Sequence, residues 1–317
     1  MKTERLILLI DSANLFVRHY CANPAMSATG IHMGGFVGFM YTIKNLVEMT
    51  NAKKLIVVWE GGGSARRKQI YPDYKAGRKP PKMNRFYGED IPDSDENRDD
   101  QIKAIIRCLK HVPAIQIYVG ECEADDIIAY YCRGAFKDEE KIIVSSDKDY
   151  YQLLDDTTRI FRPGKKIFVS RDDVVKEFGI SPRNFSLAKA LCGDGSDNIP
   201  GVKGVGFKTI AKRFPAMAHT DNNFDVDLLM SECKTHSVTS KVKAFKSILE
   251  SEEMIKRNMR LVELDGSMLT PKQIRKADFA LDTFEPAKNK IDLIRELVSL
   301  GLGDFNVDAF FYTMASL

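Results

Sequence analysis

The sequence lacks the features of zinc-finger, disulfide-stabilised and membrane-spanning proteins. Its six cysteines form no CxxC pair, which argues against a structural zinc site. Their scatter favours reduced, mostly buried thiols in a cytosolic protein. No apolar run is long enough to cross a bilayer, and residues 1–4 lead straight into a predicted strand. We therefore expect no membrane partner and no signal peptide.

The chain also has little net charge, but its charges are unevenly distributed. The formal net charge is +3, and 44% of the 317 residues are hydrophobic, which is ordinary for a globular chain with a sizeable core. Residues 66–82 hold seven basic residues and one acid, whereas residues 85–100 hold two basic residues and seven acids. Residues 203–213 hold four basic residues and no acid. Basic stripes beside acidic stretches are typical of a protein that binds a polyanion with metal ions.

Apolar runs that alternate with amphipathic segments predict an α/β fold, with a mostly parallel sheet and helices on both faces. The predicted strands are 5–11, 54–60, 115–119 and 141–146, followed by a hairpin within 159–169. Beyond Gly179 the pattern turns helical. Three regions follow: 1–178, with a mobile arch or loop around 66–100, a helical domain at 179–265, and a helical extension at 266–317.

Local patterns predict three particular helices in the last two regions. Ser181 and Pro182 are predicted to begin a helix that runs to Leu191, with serine as the N-cap and proline at the first position. Residues 240–261 are predicted to form one long basic helix. Thr270 and Gln273 predict a capping box at the start of the next helix.

Carboxylates follow four of the predicted strands, at the edge of the sheet where ligands bind in open α/β folds. Any one of these acids could instead cap a turn or a helix. Together they would repel one another unless a cation joined them, and all-oxygen clusters suit Mg²⁺ or Mn²⁺. The four groups, with two acids from the second region, predict a two-metal site for phosphodiester hydrolysis, with ions about 3.5–4 Å apart. The acids are Asp11, Glu60, Glu123, Asp125, Asp126, Asp147, Asp149, Asp194 and Asp197.

Two glycine-rich stretches lead to different interpretations. The stretch Gly201–Gly206 reads as a hairpin between two helices, and Lys208 and Lys212 follow it. Glycines allow close backbone approach, so this hairpin is predicted to grip a phosphate backbone without reading base sequence. The alternative is a plain turn between helices. The stretch 61–64 lacks the Gly-Lys-Ser/Thr ending of a P-loop and is predicted to be a flexible loop.

These motifs together resemble the flap endonuclease/5′-nuclease family, which includes the 5′-nuclease domain of bacterial DNA polymerase I and stand-alone phage 5′-nucleases. The matching segments are Ile10-Asp11, Tyr74–Arg78, Glu123–Asp126, Ser146–Asp149 and Gly193–Gly206. The resemblance covers about residues 5–262, and the chain's length is closer to the phage type. One position departs from the pattern: the family has aspartate where this chain has Glu60.

The resemblance implies a PIN-like (resolvase-like) catalytic domain, a helix–hairpin–helix (H3TH) domain, and hydrolysis with two Mg²⁺ or Mn²⁺ ions bound by the acids named above. Lys75, Arg78 and Arg67 would lie near the scissile phosphate, and Tyr74 would stack near the displaced base. Family hairpins also hold a monovalent cation such as K⁺ on backbone carbonyls, which here would be those of Val202 and Val205. DNA would contact Gly201, Val202, Lys203, Gly204, Val205, Gly206, Lys208, Thr209 and Lys212.

The function that follows is a metal-dependent, structure-selective 5′-nuclease, acting as exonuclease or flap endonuclease in replication or repair. Its expected partner is branched or 5′-ended duplex DNA, with RNA–DNA hybrids as a further substrate. We expect a monomer in the cytoplasm of a bacterium or of a phage-infected host. Two alternatives stand beside this: a non-catalytic junction-binding protein of the same fold, which Glu60 supports, and a PIN-type ribonuclease, against which the hairpin and the arch argue.

Overall fold

A six-stranded, mostly parallel sheet forms the centre of the molecule, in the order β3-β2-β1-β4-β5-β6. The computed structural model describes residues 6–78, 94–219, 222–240 and 242–317. Residues 79–93 of the predicted arch lie outside this part of the chain. The strands are β1 (Ile7–Asp11), β2 (Lys54–Trp59), β3 (Ala114–Tyr118), β4 (Lys141–Val144), β5 (Thr158–Arg162) and β6 (Ile167–Val169).

The sheet places the ends of four strands side by side. Strand β1 is buried along its whole length and pairs in parallel with β2 on one side and β4 on the other. Strand β3 continues the sheet beyond β2, also in parallel. Because β2 and β3 lie on one side of β1 and the chain then crosses back to β4 on the other side, a topological switch point lies between the carboxyl ends of β1 and β4. The predicted hairpin is confirmed by the antiparallel pairing of Phe161 with Phe168.

Helices cover both faces of the sheet, as the run of buried apolar strands requires. They are α1 (Ser12–Ala22), α2 (Gly34–Thr50), α3 (Ala65–Ile70), α4 (Asp95–Leu109), α5 (Ala124–Arg133), α6 (Arg171–Phe178), α7 (Phe185–Cys192), α8 (Phe207–Arg213), α9 (Val226–Thr239), α10 (Lys243–Leu249), α11 (Glu252–Val262), α12 (Pro271–Asp282), α13 (Lys290–Ser299) and α14 (Val307–Met314). Within the described residues, none of these helices combines the length and the apolar character needed to cross a bilayer.

Two apolar clusters lie on the two faces of the sheet. One contains Leu9 with Ile128 of α5, and it continues into the second predicted region through Phe185 of α7. The other contains Leu8 and residues of α2 and α4, and it is completed by the carboxyl-terminal helices, through Leu293 of α13 and Phe310 of α14. The predicted boundary at 178/179 is therefore crossed by a continuous core.

Of the three helix predictions, one is wrong and two are confirmed. Ser181 precedes a helical run with Pro182 at its first position, as predicted, and the run ends at Cys192. Its first turn, Pro182–Asn184, is 3-10, and the Ser181 hydroxyl accepts a hydrogen bond from the buried Asn184 amide (3.1 Å) in place of a backbone N–H. The predicted long helix is broken between α10 and α11 at Ser251, which leaves the helical conformation (φ −110°, ψ 14°). Thr270 forms the predicted capping box with Gln273.

Candidate active site

An acidic cavity of about 650 Å³ opens where β1, β2, β3 and β4 end. The register of the parallel strands brings these carboxyl ends to one edge of the sheet, so the acids that follow them converge. Three cations line the same cavity, which makes it a site of mixed charge. The charged lining residues are Asp11, Glu60, Glu123, Asp125, Asp147, Arg18, Lys75 and Arg78.

Asp11 combines a structural contact with a place in the cavity wall. Its Oδ1 accepts the backbone N–H of Asn14 at 3.1 Å and caps α1, so the capping interpretation holds as well. Its Oδ2 accepts the Ser145 hydroxyl at 3.0 Å, which ties the end of β1 to the end of β4. Burial raises the pKa of Asp11 to about 6. A buried acid with a raised pKa fits a site that becomes fully ionised when a cation binds.

Asp125 provides the clearest test of whether the site fits a metal ion. Its Oδ1 is buried and has no hydrogen-bond partner among the described residues. Burial and the neighbouring Asp126 raise its pKa well above the usual value. Single oxygens of Glu123, Asp125 and Asp126 lie within 4.8 Å of one another. An unpartnered carboxylate oxygen in an acidic cavity wall is what a hard divalent cation would satisfy, so Asp125 fits such an ion.

Glu123 makes three hydrogen bonds to side chains that are about 50 residues away in the sequence. Its Oε1 accepts Lys75 Nζ at 2.6 Å, and its Oε2 accepts Arg67 Nη1 at 3.0 Å and the Tyr74 hydroxyl at 2.9 Å. Although burial opposes it, Lys75 and Arg67 lower the pKa of Glu123, which is therefore ionised. Lys75 itself has a left-handed backbone (φ 57°), and its N–H donates to the carbonyl of Asp197 at 2.9 Å.

Arg67, which the resemblance places near the scissile phosphate, does not line the cavity. Its side chain is 1% exposed and donates two hydrogen bonds to Asp126, at 2.6 and 2.7 Å. Its Nε donates to the carbonyl of Leu261 at 2.8 Å, 194 residues away in the sequence. All its donor positions face the protein interior, and Asp126 is correspondingly occupied by Arg67. Arg67 therefore contacts the site only through Glu123 and Asp126, among the described residues.

Tyr74 departs from its predicted stacking role for a similar reason. The residue is 4% exposed, and its ring packs in a small apolar cluster with Ile199 and Leu261. Its hydroxyl donates to Glu123 and lies 3.3 Å from Asp197. A ring buried in this way has no free face for a base.

The two acids from the second region lie beside the cavity, and one of them, Asp194, is held by a lysine that the sequence did not single out. Lys189 of α7 lies 2.7 Å from Asp149 and also pairs with Asp194. Burial opposes the change, but Lys189 and Ser196 lower the pKa of Asp194 to about 2. Asp197 lies 3.9 Å from Lys75. Asp126, Asp149, Asp194 and Asp197 thus surround the cavity lining and do not contribute to it.

The predicted hairpin lies between α7 and α8. Gly201 packs so closely that a Cβ would come within 2.0 Å of the carbonyl oxygen of Cys192, and Gly204 has a φ of +77°. The buried amide of Asn258 donates to the carbonyls of Ala190 and Pro200 at 2.9 and 2.8 Å, which fixes the hairpin against α11. These contacts explain why the stretch needs glycine at both positions.

The outward side of the hairpin is basic. Lys203, Lys208 and Lys212 are exposed, and no carboxylate of the described residues lies within salt-bridge distance of them. Val202 and Val205 are buried, and the Val205 N–H donates to the Val202 carbonyl at 3.0 Å. The side chains thus anchor the hairpin, and the lysines face solvent.

Sequence reasoning missed three polar residues of the site. Arg18 lines the cavity one turn of α1 beyond Asn14, whose Oδ1 accepts the Ser146 N–H at 2.9 Å. Lys189 lies within an otherwise apolar helix. Arg18 could have been found from its spacing, because it lies two helical turns after Asp11 on the same face of α1. Nothing local marks Lys189.

Comparison with known proteins places this site in a family. Residues 6–179 match the model of the 5′-3′ exonuclease, N-terminal resolvase-like domain. A 5′-3′ exonuclease of Aquifex aeolicus is 30% identical over 230 residues, which cover 71% of this chain and 74% of that protein. DNA polymerase I of Streptococcus pneumoniae is 32% identical over 256 residues, but these cover only 28% of the polymerase.

Solved structures share the fold over almost the whole chain. The flap endonuclease of bacteriophage T5, solved as a pseudo-enzyme-product complex with DNA and metal ions, has a TM-score of 0.61 at 21% identity, covering 94% of this chain and 99% of that one. The T5 5′-exonuclease with bound zinc has a TM-score of 0.62 at 23% identity. These likenesses confirm the predicted arrangement of a mostly parallel sheet with flanking helices.

Proposed function

Because the chain belongs to the 5′-3′ exonuclease family, we propose that it is a metal-dependent, structure-selective 5′-nuclease that hydrolyses DNA near 5′ ends or flaps. The observation that carries the proposal is the convergence of five carboxylates and three cations in one cavity at the ends of four adjacent strands. Acids alone would suit a metal site without a substrate. The added cations supply partners for a phosphate.

The cavity acids would hold one or two Mg²⁺ or Mn²⁺ ions. A divalent ion bound there supplies an activated water and stabilises charge on the phosphate oxygens. The residues proposed to hold it are Asp11, Glu60, Glu123, Asp125 and Asp147. Asp126, Asp149, Asp194 and Asp197 are proposed as outer residues, because each lies off the cavity wall beside Arg67, Lys189 or Lys75.

The chain's own cations would position the phosphate. Lys75 and Arg78 line the cavity, so their charges lie beside the reacting group. Glu123 orients Lys75. Burial lowers the pKa of Lys75, but the carboxylates of Glu123 and Asp197 outweigh this effect, so the pKa is raised and Lys75 carries its charge. Arg67 and Tyr74 are positioning residues that hold Glu123 in place.

The hairpin would grip the duplex on the other side of the substrate. We propose that exposed Lys203, Lys208 and Lys212 contact phosphates with the backbone of Gly201–Gly206 and Thr209, and that a K⁺ ion binds the carbonyls of Val202 and Val205. The buried anchor at Asn258 supports this role, because it fixes the hairpin to α11, whose Leu261 carbonyl accepts a hydrogen bond from Arg67 beside the site. Branched or 5′-ended DNA is the proposed substrate, with RNA–DNA hybrids as a further one, and the protein is proposed to act as a cytoplasmic monomer.

Neither alternative function is favoured by a particular observation. Glu60, the support for a non-catalytic protein, keeps its carboxylate in the cavity wall, with Oε2 3.5 Å from the Ala124 N–H. A PIN-type ribonuclease would leave the rigid basic hairpin without a role.

Metal-dependent cleavage is the first expected result. A labelled 5′-flap duplex should be cut in Mg²⁺ and left intact in EDTA, because the crowded acids need a cation to act, whereas DNA binding through the hairpin should survive in EDTA. The measurement is gel analysis of products beside a binding isotherm. Undiminished cleavage in chelator would contradict the metal proposal, and no cleavage in any divalent ion would contradict the nuclease proposal.

Glu60 gives a second expected result. If its carboxylate binds the ion, Glu60→Ala should lower the cleavage rate by about 10–100-fold or more, and Glu60→Asp should retain most activity because the charge stays near the same place. Single-turnover rates across a Mg²⁺ titration measure both. An alanine variant with a normal rate and a normal Mg²⁺ dependence would remove Glu60 from the proposed ligands.

A further inference from the structure

Helix α12 carries an exposed stripe that neither the sheet nor the hairpin explains. Lys272, Arg275, Lys276 and Phe279 are all exposed, and their spacing of three, four and seven residues puts them on one face. The ring of Phe279 is 68% exposed. These four residues, called the α12 stripe, cover about 10 Å along the helix axis.

The orientation of α12 is fixed by contacts on its opposite face. Ala277 is buried, and its carbonyl accepts the hydroxyl of Tyr131 at 2.8 Å. The Tyr130 hydroxyl lies 3.1 Å from both carboxylate oxygens of Asp278. Because the inner face is held by hydrogen bonds from α5, the α12 stripe cannot turn inward to bury Phe279.

A second exposed aromatic residue lies beside the stripe. Tyr118, the last residue of the edge strand β3, is 55% exposed, and Lys276 Nζ lies 5.1 Å from its ring centroid. An aromatic pair among cations is the arrangement by which proteins bind single-stranded nucleic acid: bases stack on rings while cations neutralise phosphates. Duplex DNA hides its base faces in the stack, so the rings favour an unpaired strand.

Helix α12 is attached to the loop that leads from β3 to the cavity acids. Gln273, on the first turn of α12, donates to the carbonyl of Gly120 at 3.0 Å, and Gly120 lies three residues before Glu123. Arg66 Nη1 donates to the carbonyls of Ser267 and Leu269, at 2.6 and 3.3 Å, just ahead of the helix. A strand leaving the cavity along the β3 edge would therefore meet α12.

We propose that the α12 stripe, with Tyr118, binds the unpaired 5′ arm of the DNA substrate. This inference rests on the proposed nuclease function, because that function is what brings a 5′ arm to the cavity. Phe279 and Tyr118 provide stacking surfaces, and Lys272, Arg275 and Lys276 neutralise the phosphates of the same arm.

The test compares the affinity of the full chain for three probes in EDTA, where cleavage does not interfere. The probes are a blunt duplex, the same duplex with a single-stranded 5′ thymidine arm, and the armed duplex with its arm made double-stranded by a complement. Phe279→Ala should weaken binding of the single-stranded-arm probe by about fivefold or more and leave the blunt duplex unchanged. The triple variant Lys272→Gln/Arg275→Gln/Lys276→Gln should lower the salt-dependence slope for that probe by about two, since each cation on single strands contributes about 0.7.

Two matched controls make the same kinds of substitution at exposed positions away from the α12 stripe. Tyr312→Ala removes another exposed ring, on α14, and Lys53→Gln/Lys110→Gln/Lys137→Gln removes three exposed charges beside the opposite end of the sheet. Both controls should leave the gain in affinity from the arm unchanged. Because all the substituted side chains are exposed, each variant is expected to fold as the wild-type chain does. Thermal unfolding checks this.

The possible outcomes separate this inference from the proposed function. Equal losses on the blunt and armed duplexes, losses matched by the control variants, or an unchanged gain from the arm would each overturn the inference. If affinity for the probe with the double-stranded arm falls as much as affinity for the single-stranded-arm probe, the stripe binds duplex DNA, and the inference is overturned too. If the stripe variants lose the gain in affinity from the arm but the wild-type chain cuts no flap in Mg²⁺, the nuclease proposal is contradicted and the proposed binding of the arm is supported.

Discussion

Asp125→Asn is expected to abolish cleavage and leave the fold as stable as before or more stable. The Asp125 Oδ1 is buried and has no hydrogen-bond partner in the part of the chain that the structure describes, and the raised pKa of Asp125 reflects burial and the charge of Asp126. Removing that charge relieves repulsion in the metal-free protein. The same change removes a proposed metal ligand, so the single-turnover rate should fall by at least about 100-fold.

Asp126→Asn is the matched control, because it makes the same chemical change at the next residue of α5. Asp126 accepts two short hydrogen bonds from the buried Arg67, so its loss leaves a buried guanidinium without its main partner. Breaking a buried pair from one side costs about 3–5 kcal/mol. The melting temperature should therefore fall for Asp126→Asn and hold or rise for Asp125→Asn. Calorimetry in EDTA measures both, and a large fall for Asp125→Asn would mark that carboxylate as structural.

The convergence of the acids could be predicted from sequence because it depends on local patterns. Apolar runs identify parallel strands, and parallel strands end at one edge of the sheet, so an acid after each strand must lie there. Asp11, Glu60 and Asp147 were found in this way, and all three line the cavity. The direction of each side chain from α5 was beyond this reasoning. Asp125 faces the cavity and Asp126 faces Arg67, which only the rotation of α5 decides.

The burial of Arg67 and Tyr74 could not be predicted from sequence, because long-range contacts determine it. The resemblance to the family placed Arg67 near the scissile phosphate. The structure instead buries Arg67 between α5 and the carbonyl of Leu261, a contact between residues 194 positions apart. Lys189 was missed for the same reason. It lies in an apolar helix, and tertiary packing brings one of its partners, Asp149, from 40 residues earlier in the chain.

The buried contacts also connect the two basic regions of the protein. Lys75 bonds Glu123 through its side chain and Asp197 through its backbone, so one residue links the cavity to the loop that precedes the hairpin. Gln152 adds a second link, with bonds to the Val262 carbonyl and the Leu264 N–H at 3.0 and 2.8 Å. If DNA binds the hairpin as proposed, these contacts keep it in a fixed relation to the cavity, which is how positioning contributes to rate.

Neutralising the two basic regions is expected to separate binding from chemistry. Lys75→Gln or Arg78→Gln should lower the single-turnover rate at saturating enzyme by about 100-fold, because charge developing on the phosphate loses a partner in the cavity. Ground-state affinity should change much less. Lys208→Gln/Lys212→Gln should instead weaken duplex binding at every sequence and reduce the salt-dependence slope by about two, since each phosphate contact contributes about 0.9.

Saturating enzyme should restore the single-turnover rate of the Lys208→Gln/Lys212→Gln variant, because its cavity is intact. Lys53→Gln/Lys110→Gln is the control with the same loss of charge, at two exposed positions beside the opposite end of the sheet. It should change neither rate nor slope. If Lys208 and Lys212 governed the rate at saturation while Lys75 governed only affinity, the proposed roles would be reversed: the hairpin would serve catalysis and the cavity lysine would serve DNA binding.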